Sequence, residues 1–514
     1  MSSATASVPP PPLFRRAGCW ITCLSILPVL VGGAILAENI LGARKLARVK
    51  AELAAIGIEL DPHKIPSSRP PDAENFFTTP ARAALEKGAL PAPTDKAVKR
   101  IAKWQPWADH SRFPIQSVHS AMPTDWTGVR DLIANRDKAA GLTSTDDPVA
   151  DLSQALERDL APLLGELTVA RTRPHSHWVP DFMERVRGGE IAISVGIQWT
   201  DSIRELRTVL GLRTRFGVIT RQPEQVSDSV LILLRLAEGT EAFGGIPASL
   251  TAVSLRRTAL EGAWAAAEQR RAPGSTWHEW ARAFASHRPL ERLPQSIIED
   301  MVLFESTSVS VRQPDGLMDL IYDRSNPPEP WRRAALRLVP HGWADINTAN
   351  ALEAAGGLWS LLQDPSRPDR FTSSAWRTEV GRWVHQKDIL RHRWLVDLFV
   401  PIFPGTVSRV FQSHALCRLA EAACALEAYF RDHQSYPGSL EALVPAYLPA
   451  VPIDLDGLWI RYDLDPANGR YKLWSIGEDG VDDGGVEKTD FPRPDKSPRP
   501  WMEPVGDWVW HYPN

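Results

Sequence analysis

Acidic residues and glycines alternate in a short stretch near the C terminus, LWSIGEDGVDDGG at 473–485. An apolar, strand-like run ends at a glycine, and four acidic residues then follow among further glycines. Carboxylates and backbone carbonyls on a flexible loop are the ligands that a hard cation prefers. The same stretch is also typical of a solvated acidic turn without a metal, and the residue types alone leave both interpretations open.

Histidine is the other residue type that could support chemistry. His175 and His177 lie in RPHSHW, His341 lies in VPHGW, and His385 and His392 are two helical turns apart. The last pair could in principle share a metal ion. No HExxH, GxSxG, Walker A or GxGxxG pattern occurs in the chain. Histidines without such a pattern are more typical of surface or core positions, so we expect no catalytic residue.

The four cysteines predict neither a zinc site nor a disulfide framework. Cys19 and Cys23 lie in an apolar run, without a CxxC spacing. Cys417 and Cys424 are seven residues apart in one predicted helix, which separates them by about 10 Å. That distance is too long for a disulfide bond.

Length and composition predict a folded protein of two or three domains, since the chain has 514 residues and 43% of them are apolar. The formal charge of −4 provides no basic footprint, so we expect no nucleic-acid partner. The 20 tryptophans are scattered along the chain. That distribution predicts large core side chains rather than sugar-binding platforms.

The N-terminal region predicts a membrane anchor. Residues 1–16 are rich in Ser, Ala and Pro, and we expect them to form a disordered tail. A transmembrane helix is expected at 17–38, because residues 19–37 carry no charge and are just numerous enough to cross a bilayer. A cleaved signal peptide is the alternative. It is disfavoured because no A-x-A site occurs and residues 39–60 continue as a juxtamembrane helix.

The middle of the chain predicts a connection followed by a helical body. Residues 61–125 carry many prolines, which predicts an extended connection, and the helical period dominates from 126 to 404. Within the body, DSIRELRTVLGLRTRFGVI and VSDSVLILLRLAEGTEAF flank the polar turn TRQPEQ. The first run places Leu206, Val209 and Leu210 on one face. The two runs therefore predict an αα-hairpin.

Residues 405–514 predict a small α+β module. VSRVFQSHALCRLAEAACALEAYFRDH has the spacing of a long amphipathic helix, with Leu419, Ala423 and Leu426 on one face. A short helix follows in SLEALV. GLWIRYDLD and GRYKLWSIG then predict an antiparallel β-hairpin that turns at PANG. The fold class is therefore mainly α, with this small module at the end.

This order of elements resembles the C-terminal part of the major pseudopilin of bacterial type II secretion. The resemblance runs through ALEAYFRDHQSYP and SLEALV and ends in SIGEDGVDDGGVEKTDF. In pseudopilins a loop of this kind holds a calcium ion, so the resemblance implies a calcium site here. Asp479 and Asp490 match the pseudopilin's acidic positions best, and Asp482 and Asp483 are further candidates.

The N-terminal sequence departs from the pseudopilin pattern. Gly18 precedes Cys19, and Cys23 occupies the position where a pseudopilin carries the glutamate of its mature helix. About 350 residues also separate the predicted span from the module. The processing and assembly signal is therefore missing, and the added bulk would hinder packing into a filament.

Over its whole length the chain is similar to a group of membrane-anchored proteins of Planctomycetes and Verrucomicrobia. The similarity rests on AELAAIGIELDPHKIPSSRPPDAENFFTTP after the anchor, LRLVPHGWADIN in the middle, and LVPAYLPAVPIDLDG and GDWVWHYP near the end. It implies a membrane span, a helical body and a pseudopilin-like tail. It implies no activity.

Together these features predict a single-pass protein of the bacterial inner membrane with a non-catalytic interaction or scaffold role toward other envelope proteins. Arg44, Lys45, Arg48 and Lys50 follow the span and by themselves favour a cytoplasmic body. The pseudopilin resemblance implies a periplasmic body, which we expect. The alternatives are a component or relative of a type II secretion apparatus and a hydrolase with its site in the helical body.

Overall fold

The computed structural model describes residues 13–65, 69–87, 89–102, 131, 135, 138, 152–178, 182–188, 200–268, 274–312, 329–331, 339–384, 396, 402–486 and 506–511. Within the first helix, side chains are described from Val29 onward. Residues 1–12 of the predicted tail, Asp490, His385 and His392 lie outside the described residues.

The described chain is mainly helical, as predicted, and carries one small antiparallel sheet. Its α-helices are α1 (Leu13–Ala55), α2 (Pro80–Glu86), α3 (Ala92–Ala102), α4 (Ala161–Ala170), α5 (Phe182–Arg187), α6 (Thr200–Ile219), α7 (Pro223–Phe243), α8 (Gly245–Glu268), α9 (Gly274–Ser286), α10 (Pro289–Val311), α11 (His341–Gln363), α12 (Ser373–Val384) and α13 (Ile402–His433). Its strands are β1 (Arg461–Asp465), β2 (Arg470–Ser475) and β3 (Trp508–His511).

The predicted αα-hairpin is confirmed as α6 and α7. Leu206 and Val209, on the predicted apolar face, are fully buried. Helix α7 ends at Gly244, whose φ of 113° favours glycine, and α8 begins at the next residue. The N–H of Gly245 donates to Glu299 Oε2 of α10 at 2.7 Å. A carboxylate from a neighbouring helix thus accepts a hydrogen bond from a backbone N–H group that has no partner within α8.

Helix α13 lies inside the body and packs against α8, α9 and α10. Its Leu419 is fully buried. Arg418 Nη2 donates to the carbonyl oxygens of Phe284 at 2.6 Å and His287 at 2.9 Å, at the end of α9. The long helix predicted for the module at 405–514 is therefore shared with the core of the body.

The predicted β-hairpin is confirmed as β1 and β2, in which Asp465 pairs with Arg470 beside the predicted turn. A third strand, β3, was not predicted. It pairs antiparallel to β2 and lies in a run of aromatic and β-branched residues, which favour strands. Trp264 Nε1 of α8 donates to the carbonyl oxygen of His511 at 3.2 Å, which fastens the sheet to the helical body.

Helix α1 is continuous through the predicted span and most of the predicted juxtamembrane helix. Its later turns pack on α11, where Gly42 and Gly342 let the two backbones meet. A Cβ on Gly342 would overlap the carbonyl oxygen of Glu38, and a Cβ on Gly42 would overlap that of Gly342. Among the residues that the structure describes, no helix meets the length and apolarity expected of a membrane span. The span at 17–38 therefore stays a prediction.

The connection predicted as extended at 61–125 contains two helices, α2 and α3, within its described part. The prolines do not prevent them, because Pro80 occupies the first position of α2, where its missing N–H is not needed. Phe76 and Phe77 just before α2 are fully buried. The ring of Phe77 lies on Gly239 of α7, where a Cβ would overlap it.

Candidate functional site

The acidic loop predicted to bind a cation follows β2 directly. Gly477, Gly480, Gly484 and Gly485 all have positive φ, so the chain reverses repeatedly over a few residues. The acidic residues are thereby held close to the loop's own backbone N–H groups. Asp479 Oδ1, for example, accepts from the N–H of Val481 at 3.2 Å.

Asp482 is the most fully engaged of the predicted ligands. Its Oδ1 accepts from Trp474 Nε1 at 2.9 Å and from the N–H of Gly484 at 3.0 Å, and its Oδ2 accepts from Arg461 Nε at 3.4 Å. Burial raises the pKa of the Asp482 carboxyl, but these hydrogen bonds together outweigh it and place the pKa below its ordinary value. The carboxylate is therefore stabilised by protein donors.

Two cations of the sheet contact the loop. Arg461 on β1 binds Asp454 at 2.7 Å and Asp456 at 2.5 Å in addition to Asp482. Lys472 Nζ on β2 donates to the carbonyl oxygen of Gly484 at 2.8 Å. The Arg461 guanidinium thus offsets part of the negative charge of the loop.

Asp507, just before β3, is a loop residue that the sequence reasoning missed. Its side chain is fully buried, and its Oδ2 accepts from the N–H groups of Asp483 at 3.0 Å and Gly485 at 2.7 Å. Burial raises the pKa of its carboxyl in spite of these hydrogen bonds. The only signal was an aspartate within the terminal GDWVWHYP run, and nothing in the spacing placed it under the loop.

The structure thus brings Asp479, Asp482 and Asp483 onto one loop. Asp490 lies outside the described residues. Within the described part of the chain, no three His, Cys, Asp or Glu side chains are grouped as a metal site. Protein donors thus bind Asp479 and Asp482, while one buried carboxylate oxygen beside the loop, Asp507 Oδ1, has no hydrogen-bond partner in the described part of the chain.

Three of the histidines singled out in the sequence lie within the described residues. The N–H of His175 donates to the carbonyl oxygen of Glu74 at 3.1 Å, and its ring lies 3.7 Å from the Glu74 carboxylate. The N–H of His177 donates to Asn75 Oδ1 at 2.9 Å. His341 is exposed at the first position of α11. These residues join the 69–87 segment to the body or begin a helix, and they do not form one site.

A buried polar cluster that the sequence reasoning missed joins α7, α8 and the end of α9. Arg256 is fully buried, forms an ion pair with Glu241 and donates from Nε to His287 Nδ1 at 3.2 Å. Burial, followed by the nearby arginines, lowers the pKa of His287 well below its ordinary value. Burial also raises the pKa of the neighbouring Cys417 thiol to about 11. The cluster thus combines a neutral imidazole with an unreactive thiol.

Helix α1 changes environment abruptly along its length. Leu30, Leu36 and Leu41 are 64%, 61% and 61% exposed, whereas Leu46 and Val49 are 5% and 1% exposed. The change follows the first contact with α11, where Asn39 Oδ1 accepts from the N–H of Gly342 at 2.7 Å. The body therefore leaves a row of large apolar side chains uncovered on a helix that continues away from it.

Comparisons with protein-family models, with curated proteins and with solved structures find no match to this chain.

Proposed function

We propose that this chain is a single-pass, membrane-anchored protein of the bacterial envelope whose helical body serves as a non-catalytic interaction scaffold. One observation carries the proposal: the apolar side chains of α1 from Val29 to Leu41 are mostly exposed, while the apolar side chains of the following turns of the same helix are buried in the body. A contiguous apolar surface of this kind marks an interaction with a membrane or a partner.

A lipid bilayer is the occupant that fits the exposed segment. The uncharged run at 19–37 has a helical length of about 28 Å, close to the hydrocarbon thickness of a bilayer. Contact with the body begins at Glu38, immediately after that run. The joint is close-packed at Gly42 and Gly342, so the body would be held at a fixed orientation next to the membrane.

The basic residues after the segment have a role in the fold. Lys45 lies 3.3 Å and Arg48 lies 3.4 Å from Glu353 of α11, and Lys50 lies 2.7 Å from Glu305 of α10. These ion pairs help to join α1 to the body. These three basic residues therefore have a role in the fold that does not depend on a cytoplasmic location. We propose the periplasmic orientation that the pseudopilin resemblance implies.

A scaffold role is favoured over a hydrolase because the strongest cluster of titratable groups is closed to solvent. Arg256, Glu241 and His287 are all buried and bind one another, and the adjacent thiol has a raised pKa. Such a cluster specifies how helices pack. It offers no nucleophile in a form suited to attack a substrate.

A role beside a type II secretion apparatus is the second candidate. The order of α13, the 3₁₀ turn at Leu440–Leu443, the β1–β2 hairpin and the acidic loop favours it. Since α13 is shared with the body, contact with pseudopilin-like partners would use the sheet and its loops. Crosslinking in native membranes from a residue such as Leu458, which is 63% exposed, would capture such partners.

Location and orientation can be tested together in cells. Val481 is 53% exposed on the acidic loop, so Val481→Cys in a chain without its own cysteines should react with a membrane-impermeant maleimide in intact spheroplasts. Leu443→Cys is a matched control, because Leu443 is fully buried and should react only after denaturation. The chain should also resist alkaline extraction from membranes. Protection of Val481→Cys until lysis would reverse the orientation, and release by alkali would refute the anchor.

A further inference from the structure

A cavity of about 300 Å³ lies between α6, α8 and α13, outside the acidic loop and the buried histidine cluster. Aliphatic side chains form part of its wall, including Ile203, Leu250 and Leu416. Four arginines from the same three helices line the rest: Arg204, Arg207, Arg257 and Arg409. The cavity therefore combines apolar surface with an unusual concentration of positive charge.

The four guanidinium groups are not equally neutralised. Arg204 Nη1 binds Asp201 Oδ1 at 2.9 Å, and Arg257 Nε binds Glu261 Oε1 at 3.0 Å. Arg207 forms no hydrogen bond or ion pair with any residue that the structure describes, and Glu261 acts on it only through space. The protein thus keeps at least one cavity cation available for an external anion.

Burial disfavours the charge on two of these arginines. It lowers the pKa of Arg207 and of Arg409, although arginine remains protonated at neutral pH. On the same wall, Ser413 is 2% exposed and its Oγ has no hydrogen-bond partner within the described part of the chain. A half-buried cation without an ion pair in the described part of the chain and a buried, unpartnered hydroxyl thus line the same space.

We propose that this cavity binds a small organic anion that carries a carboxylate or phosphate group on an apolar body. The fork of N–H donors on Arg207 matches the oxygens of either group, and the Ser413 hydroxyl supplies a further donor. The apolar body would lie against the aliphatic wall. The volume is at the lower end for small-molecule sites, so the cavity fits a single short chain rather than a complete diacyl lipid.

Equilibrium dialysis of the full chain in nanodiscs of neutral phospholipid tests this proposal, with empty nanodiscs correcting for partition into lipid. The probes are octanoate, octyl phosphate, octanol and inorganic phosphate. We expect octanoate or octyl phosphate to bind saturably at one site per chain, at least tenfold tighter than octanol and inorganic phosphate. Equally tight binding of octanol would show that the arginines do not contribute to affinity. Equally tight binding of inorganic phosphate would show that the apolar wall does not contribute.

Two substitutions should abolish or weaken this binding for different reasons. Arg207→Gln removes the available cation and should weaken binding about tenfold or more. Val253→Trp fills the cavity without changing its charge and should abolish binding. Arg288→Gln is the control, since Arg288 is exposed, lies outside the cavity and pairs with Glu291. It should bind the probes as the natural chain does.

The stability of the ligand-free variant separates a binding role of Arg207 from a structural one. Removing a half-buried cation that has no ion pair in the described part of the chain should leave the unfolding midpoint unchanged or raise it. Arg207→Gln should therefore combine weaker binding with undiminished stability. A lowered midpoint with unchanged binding, or no saturable binding of either anionic probe at millimolar concentration, would overturn the proposal.

Discussion

The exposed turns of α1 and the acidic loop after β2 differ in how far the fold satisfies them. On the loop, Arg461 and backbone N–H groups bind the carboxylates of Asp479 and Asp482. On α1, Leu30 and Leu36 remain exposed on a helix that continues away from the body. Both regions were expected to bind something outside the protein. Of the two regions, only the apolar turns of α1, which the protein's own residues leave uncovered, require an external partner.

The largest effect is expected where a charge is placed on the uncovered half of α1. Leu30→Arg combined with Val31→Arg puts two cations near the middle of the proposed span, each costing about 2.5–3.5 kcal/mol of insertion free energy. The chain should lose most of its membrane association in a flotation assay. Leu41→Arg lies beyond the uncharged run and is the matched control. Equal flotation of the double variant and the control would show that lipid does not cover these side chains.

The next effect tests the joint between α1 and the body. Gly342→Leu would place side-chain atoms where the backbone of α1 passes, and should lower the free energy of unfolding by about 3 kcal/mol through overpacking. Gly33→Leu on α1 is the control, because no atom lies within 4 Å of a Cβ at that position. Chemical denaturation in a neutral detergent measures both. Equal stability of the two variants would show that the backbones of α1 and α11 do not meet at Gly342.

A smaller effect is expected at the acidic loop. Arg461→Met leaves the buried Asp454 without its cation and should cost about 2–3 kcal/mol of stability at neutral pH. Burial already raises the pKa of Asp454, and losing Arg461 raises it further. When folding raises the pKa of an acidic group, the protein loses stability as the pH rises from the group's unfolded-state pKa through its folded-state pKa. The loss caused by Arg461→Met should therefore shrink as the pH falls toward 4.

Arg367→Met serves as the reference for that measurement. Its pair with Asp369 is exposed on both sides, so its removal should change stability far less than Arg461→Met does. A loss at Arg461→Met as small as this, or one that grows at low pH, would show that the acidic loop does not depend on its internal cation.

The smallest effect is expected from calcium. Because Asp479 and Asp482 already accept hydrogen bonds from the loop backbone and Arg461, we expect millimolar calcium to raise the unfolding midpoint of the full chain by less than about 1 °C. The full chain is the proper sample, since α13 packs within the body. A large stabilisation that EGTA reverses and Asp482→Asn removes would instead support the calcium site that the pseudopilin resemblance implies.

Much of the fold could be predicted from local pattern. The helical body, the α6–α7 hairpin and the β1–β2 hairpin follow from hydrophobic period and turn residues. Strand β3 and the helices α2 and α3 were missed. Strand β3 is short. Helices α2 and α3 lie among prolines that occupy permitted positions, such as Pro80 at the start of α2.

The sites were harder to predict because they depend on contacts between distant segments. Asp507 approaches the loop from beyond residues 487–505, and Arg256 meets His287 across two helices. The arginines of the cavity come from three helices that do not follow one another directly in the sequence. Periodicity shows which face of a helix is apolar, but it does not show which charged residues the packing will bring together or leave without a partner.

Collision accessibility of spin labels in liposomes tests the central claim most directly. Nitroxides at Leu30→Cys and Glu52→Cys in a chain without its own cysteines compare the two halves of one helix, since both positions are exposed in the protein. We expect the label at 30 to be relaxed by oxygen and shielded from a water-soluble nickel chelate, and the label at 52 to show the reverse. If both labels meet the nickel chelate equally, α1 does not enter the membrane and the proposed anchor is contradicted.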